Sequence, residues 1–146
     1  MQPDVEIHPA LLKDCHDIGR LRMSRLLLMD EAAWPWLVLV PMRPNKVDWD
    51  DLDPMDSYRV CDEIRECSLA LKRLYSPIKV NVAALGNQVP QLHIHVIARF
   101  EKDPAWPRPV WGVTEKRRYE PHALQQRIAE IERELHSSLG FADRKG

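Results

Sequence analysis

Gln91-Leu92-His93-Ile94-His95-Val96-Ile97-Ala98 is the stretch on which the fold turns. Side chains alternate faces along a strand, so Leu92, Ile94 and Val96 share one face while Gln91, His93 and His95 share the other. The apolar set is what a sheet needs to pack on a helix. The polar set puts two imidazoles about 7 Å apart along the strand. Immediately upstream, Ile78 to Leu85 reads as a strand, and Gly86-Asn87-Gln88-Val89-Pro90 between the two is short and turn-forming. Strands over 78–85 and 91–100 are therefore expected to pair as an antiparallel hairpin.

Working outward, Asp53-Pro54-Met55-Asp56 has the marks of a helix start: Asp as N-cap, Pro at the first helical position and an acid in the first turn. Val60, Ile64, Cys67, Leu71 and Leu74 follow at spacings of three and four, which predicts one buried helical face running to Tyr75. Trp36 to Met42 is apolar almost throughout and is expected to be a central strand. Leu21 to Asp30 reads as the strand before it, with Glu31 to Pro35 as the turn, because Pro35 keeps Trp34 out of the helical region. Nearer the start, a short helix is expected over 9–17, stopping near Gly19. Asp103 to Gly112 carries three prolines and two tryptophans and is expected to be irregular. A last helix is predicted from Pro121 to Leu139, with Leu124, Ile128, Ile131, Leu135 and Leu139 on one face and Gly140 ending it. Helices mixed with antiparallel hairpins make the class α+β.

The length, 146 residues, suits one domain, and 45% hydrophobic content is enough for a core. A formal net charge of −1 draws the chain neither to nucleic acid nor to an anionic membrane. The apolar runs are too short to span a bilayer, and the N-terminal residues lack the basic leader and apolar stretch of a signal peptide. Cys15, Cys61 and Cys67 are odd in number and form no C-x-x-C pair, so a reducing cytosol is the expected setting.

Spacing alone leaves three readings of His93 and His95 open. They can decorate a solvated face. They can clamp a metal ion, although His8, His16, His122 and His136 show no matching spacing and carboxylates would have to complete the site. Or one neutral imidazole attacks phosphorus while its neighbour handles charge or a proton.

At this point a family resemblance enters. Residues 91–98 resemble the signature of the histidine-triad (HIT) superfamily, in which three histidines alternate with apolar residues before two further apolar positions. Trp36-Leu37-Val38-Leu39-Val40-Pro41-Met42-Arg43-Pro44 resembles the family's strand leading into a proline and a basic residue, and Arg25 to Asp30 resembles the strand before it. Gly86-Asn87-Gln88-Val89 is similar to the loop preceding the motif. Pro90-Gln91-Leu92-His93-Ile94-His95 and Trp106-Pro107-Arg108-Pro109-Val110-Trp111-Gly112 look like compact bacterial members labelled diadenosine tetraphosphate hydrolases.

The resemblance implies a HIT-like fold: an antiparallel sheet of about five strands, a long helix packed on it and an additional C-terminal helix. One domain over 1–146 would have its core over about 10–112 and a C-terminal helical extension over about 113–146. It implies that His93 is the nucleophile attacking the α-phosphate of a dinucleoside polyphosphate, nucleoside phosphoramidate or related adenylated compound, through a nucleotidyl-histidine. A backbone carbonyl would hold its other ring nitrogen protonated, and His95 would stabilise phosphoryl oxygens or assist proton transfer. Gln91 stands where the family has its first histidine, which mainly helps to orient its neighbours; it can orient a ring but cannot titrate, so an altered rate or substrate is expected, with a catalytically weak nucleotide-binding module as the alternative. Asp30 falls at a ribose-binding position and Asn87 at a phosphate-touching one, although each also reads as an ordinary turn residue. Trp106 and Trp111 read either as packing of the proline-rich strap or as a wall of the nucleotide site. Glu115-Lys116-Arg117-Arg118 reads as a solvated connector. No metal or other cofactor is implied, and a homodimer is.

Overall fold

A computed structural model describes residues 5–113, 115–136 and 142–143. Its sheet has the order β4-β5-β3-β2-β1-β6, with every neighbouring pair antiparallel. In chain order the strands are β1 (Cys15–Arg20), β2 (Ser24–Met29), β3 (Trp36–Pro41), β4 (Lys79–Ala83), β5 (Ile94–Arg99) and β6 (Ala142–Asp143). The helices are α1 (Pro9–Asp14), α2 (Pro54–Tyr75) and α3 (Pro121–Leu135). The architecture is the expected α+β, HIT-like one. The two-residue β6, paired with Gly19 and Arg20, extends the expected five-strand sheet at its edge.

Both faces of the sheet are covered, which is why β3 is buried at every position and apolar throughout. Leu37 and Leu39 point into a core shared with Cys67, Ala70 and Leu71 of α2 and Ile131 and Leu135 of α3. Trp36, Val38 and Val40 point the other way, toward Leu11 of α1 and toward Ala105 and Val110. Those two belong to the irregular segment 103–113, a strap across that face. The strap is tied to β5 by Arg99, whose guanidinium donates to both Asp103 carboxylate oxygens, to Asn81 Oδ1 and to the Arg108 carbonyl. Asp103 in turn accepts from the N–H groups of Phe100, Ala105 and Trp106 and so shapes the turn. Burial opposes ionisation there, but Arg99 and these N–H groups outweigh it and hold the Asp103 carboxyl far below its usual pKa.

Helix α2 starts as its sequence predicts, with the Asp53 side chain accepting from the Asp56 N–H and Pro54 at the first helical position. It ends at Ser76, whose left-handed backbone (φ 48°) stops it just before Pro77. Other expectations shift. The first helix ends at Asp14 rather than Asp17, and Cys15–Arg20 is a strand, bulged between Asp17 and Gly19, on the edge of β2. Asp17 and Gly19 are poor strand formers, and β2 supplies the pairing that local propensity does not. The β4–β5 pair is antiparallel as predicted, but its connection is longer, from Ala84 to His93. The predicted end of the last helix at Leu139 and Gly140 lies outside the described residues. Among the described residues no helix is long and apolar enough to cross a membrane.

Candidate functional site

Alternation along β5 decides where the histidines point. Ile94 packs with Val60 and Leu92, and Val96 and Ala98 pack with the α2–α3 core. His95 and Ile97 therefore face the strap, and His93, the residue before the strand, faces the same way. The two rings lie edge to face, centroids 5.0 Å apart, and are only 6% and 5% exposed.

Each ring has one nitrogen committed, in opposite senses. His93 Nδ1 lies 2.7 Å from the Gln91 carbonyl oxygen. A carbonyl only accepts, so Nδ1 carries the proton and Nε2 keeps its lone pair. His95 Nδ1 lies 2.9 Å from Trp36 Nε1. An indole N–H only donates, so here Nδ1 holds the lone pair and Nε2 carries the proton. Burial, and after it the charge on a protonated His93, push the His95 pKa down to about 4. His95 is a neutral donor at physiological pH.

These rings form part of the wall of a cavity of about 440 Å³ that also touches Asp30, Asn87, Trp36 and Trp111. Trp111 stands edge-on to both His95 (5.1 Å) and Trp36 (5.7 Å) and is 39% exposed. Asn87 is exposed on the β4–β5 connection. Asp30 is heavily engaged: Oδ1 accepts from the Tyr119 N–H and lies 3.3 Å from His16 Nε2, and Oδ2 accepts from Arg118. Burial alone would raise the Asp30 pKa, yet the hydrogen bonds from Tyr119, Arg118 and His16 hold it below the ordinary carboxylate value.

Two residues singled out in the sequence lie elsewhere. Trp106 is not in the cavity wall; its ring sits under the Arg99 guanidinium, 5.5 Å away, because Asp103 pulls its N–H into the strap turn. The Gln91 side chain does not reach the histidines either. Its Oε1 accepts from the His8 N–H and its Nε2 donates to the Glu6 carbonyl, so it anchors the segment before α1, and only its main-chain carbonyl serves His93.

The charge run at 115–118 is also more than a connector. Lys116 lines the cavity 3.5 Å from Asp14, and the Arg117 N–H donates to Glu31. No local pattern marks such a tether, since its partners lie far back in the chain. Among the described residues no three His, Cys, Asp or Glu side chains gather as a metal site would require. What the arrangement offers chemically is a lone pair on His93 Nε2 beside an N–H on His95 Nε2, under aromatic walls.

A HIT domain model matches residues 13–102. No curated protein matches the chain. Among solved structures, a histidine triad protein from Bradyrhizobium japonicum is 44% identical, with TM-score 0.88 over 90% of this chain and 98% of that one. One from Sinorhizobium meliloti is 37% identical (TM-score 0.86; 89% and 96% covered), and one from Marinobacter aquaeolei is 36% identical (0.89; 92% and 98%). Similarity of this extent and identity reaches well beyond the eight-residue motif. The chain belongs to the HIT family, a superfamily of nucleotide-binding proteins that are generally hydrolases or transferases.

Proposed function

We propose that the protein is a nucleotidyl hydrolase or transferase whose nucleophile is His93. Nε2 attacks the α-phosphorus of a dinucleoside polyphosphate, a nucleoside phosphoramidate or a related adenylated compound. The bond from phosphorus to the leaving group breaks, and solvent protonates the group expelled. Water then attacks the phosphorus of the nucleotidyl-histidine and gives up a proton to solvent, while the P–N bond breaks and its electron pair returns to Nε2.

The observation that carries this reading is the Gln91 carbonyl on His93 Nδ1, which leaves the lone pair on Nε2 and stabilises the positive ring formed when Nε2 is nucleotidylated. His95, neutral and protonated at Nε2, acts by hydrogen-bonding a phosphoryl oxygen rather than by giving up its proton, since losing it would leave a buried anionic ring. Asn87 donates to phosphate from its loop, Asp30 meets the ribose through the acceptor capacity that Arg118 leaves on Oδ2, and Trp111 flanks the base. The protein works in a reducing cytosol, as a homodimer, on a small-molecule nucleotide, and needs no cofactor.

A second reading, a nucleotide-binding module with weak turnover, is favoured by one observation: the Gln91 side chain is committed to the main chain of residues 6 and 8. The test is a screen of adenylated and guanylated substrates with wild type, His93→Ala and Gln91→His. Hydrolysis and an acid-quenched covalent nucleotide should be present in wild type and lost in His93→Ala by at least 10³-fold. Full hydrolysis by His93→Ala would sink the mechanism. Tight AMP binding without turnover, unrestored by Gln91→His, would establish the binding module.

A further inference from the structure

We infer that Trp36 is a positioning residue: its indole N–H holds His95 in the tautomer with a bare Nδ1 and a protonated Nε2, which makes His95 a hydrogen-bond donor toward bound phosphate. The inference rests on the hydrolase reading above and deepens it, because that reading needs a donor beside His93 without saying what enforces one.

The physical case begins with the indole, which has a donor and no acceptor. At 2.9 Å, Trp36 Nε1 and His95 Nδ1 are at full hydrogen-bond distance. Two states of the imidazole place a proton on Nδ1: the other neutral tautomer and the charged ring. Either would set N–H against N–H between two side chains that are only 6% and 5% exposed, which is costly. One contact therefore selects the tautomer and disfavours the charged form. The low His95 pKa agrees in direction, although burial is its leading cause and His93 the next.

The donor is itself fixed. Trp36 opens β3, opposite Ile97 of β5, and its ring stands edge-on to Trp34 at 6.2 Å and to Trp111 at 5.7 Å. The ring is 6% exposed and packed in the cluster that holds Leu11, Trp34 and Val110. The ionisable groups around His95 are few: His93 on its own segment, and Asp14, Asp30, Glu31 and Lys116 in the wall of the same cavity. Val38 and Ala83 oppose it on the flanking strands and carry no charge. Without the indole N–H, nothing on β3 or β4 distinguishes the two ring nitrogens. His95 could then turn a lone pair toward the negatively charged phosphoryl oxygens.

The experiment is ¹⁵N NMR of histidine-labelled protein, combined with kinetics of Trp36→Phe, which keeps an aromatic ring but deletes the N–H. In wild type, His95 Nδ1 should resonate as an unprotonated nitrogen and Nε2 as a protonated one across pH 6 to 8. In Trp36→Phe the two signals should move toward each other as tautomers mix, and His95 should take up a proton at higher pH. Kcat should fall about tenfold to a hundredfold with KM little changed, the loss expected for one hydrogen bond to a charged group. A protonated Nδ1 in wild type would overturn the inference even if the variant failed to fold. An unchanged tautomer and an unchanged His95 titration in a folded Trp36→Phe would overturn it equally. Because the spectrum is read without substrate, failures separate cleanly. A locked His95 in a protein that cleaves no adenylated compound counts against the hydrolase reading alone, and an unlocked His95 in an active enzyme counts against Trp36 alone.

Discussion

His95 sits where a charged ring would be costly, and that cost has a measurable signature. Its pKa of about 4 lies below the ordinary value of 6.5. Between these values the unfolded chain binds a proton at this site and the native chain does not, so protonation favours unfolding. The stability tied to a neutral His95 is complete above about pH 6.5. It declines as the pH falls and levels off near pH 4, where the native ring also protonates. The full difference is about 3 kcal/mol, from the pKa gap. His95→Gln removes the titration, and its amide oxygen can still accept from the indole. Urea unfolding at pH 7 and pH 4 should therefore show a loss about 3 kcal/mol smaller in the variant than in wild type; equal losses would mean that His95 titrates normally in the fold. His93 and His95 are thus chemically different residues despite their identical side chains, because one is held by a carbonyl and the other by an indole.

The strap shows how an irregular element acquires a fixed shape. It has no ladder of its own, so its main-chain groups are satisfied by side chains, chiefly Asp103 and Arg99. The side chains of that ion pair are each 1% exposed. Asp103→Ala would leave the Arg99 guanidinium buried with only the Asn81 and Arg108 oxygens. Breaking a buried pair from one side costs about 3–5 kcal/mol, which should appear as a lower urea midpoint with the slope retained. The same strap carries Val110 into the core and Trp111 to the cavity, so the variant should also lose activity at temperatures where it is still folded. A midpoint within error of wild type would show that the strap is held by packing alone. Helix α3 is docked by a comparable polar device, Arg127 lying over Tyr75 of α2 at 4.5 Å and over Tyr119 at 5.9 Å.

Across the whole molecule, charge is close to balanced, but the cavity wall leans acidic. It carries Asp14, Asp30 and Glu31 against Lys116. Lys116 lies beside Asp14, Arg118 is bound to Asp30, and Glu31 accepts from main-chain N–H groups. Among the described residues no surplus of positive charge in the cavity wall faces a long phosphate chain. Within the proposed substrate classes, a compound with one phosphate should therefore be preferred. Adenosine 5′-phosphoramidate should exceed diadenosine tetraphosphate in kcat/KM by about tenfold or more, the equivalent of one well-placed charge interaction. Chromatographic rate assays on both compounds would check this, and the opposite order would refute it.

What the sequence by itself determined follows from spacing and from neighbours a few residues away. The β3 run predicts burial on both faces, the three-and-four spacing of Val60, Ile64, Cys67 and Leu71 predicts the core face of α2, and Asp53-Pro54 predicts its start. The alternation in 92–98 separates the histidines from the core side of β5. Such features are local, so the physics that creates them can be read locally. Cys15–Arg20 escaped because its strand character comes from the partner β2 rather than from its own residues. The tertiary structure alone decided which residues complete the site. Trp36 meets His95 across 59 residues, Asp30 holds Arg118 and Tyr119, Gln91 turns back to the main chain of residues 6 and 8, and Trp106 goes to Arg99 rather than to the cavity. Each of these is a contact between specific groups that the fold brings together. Such a pairing imposes no period on the sequence, and it exists only once packing has closed the distance.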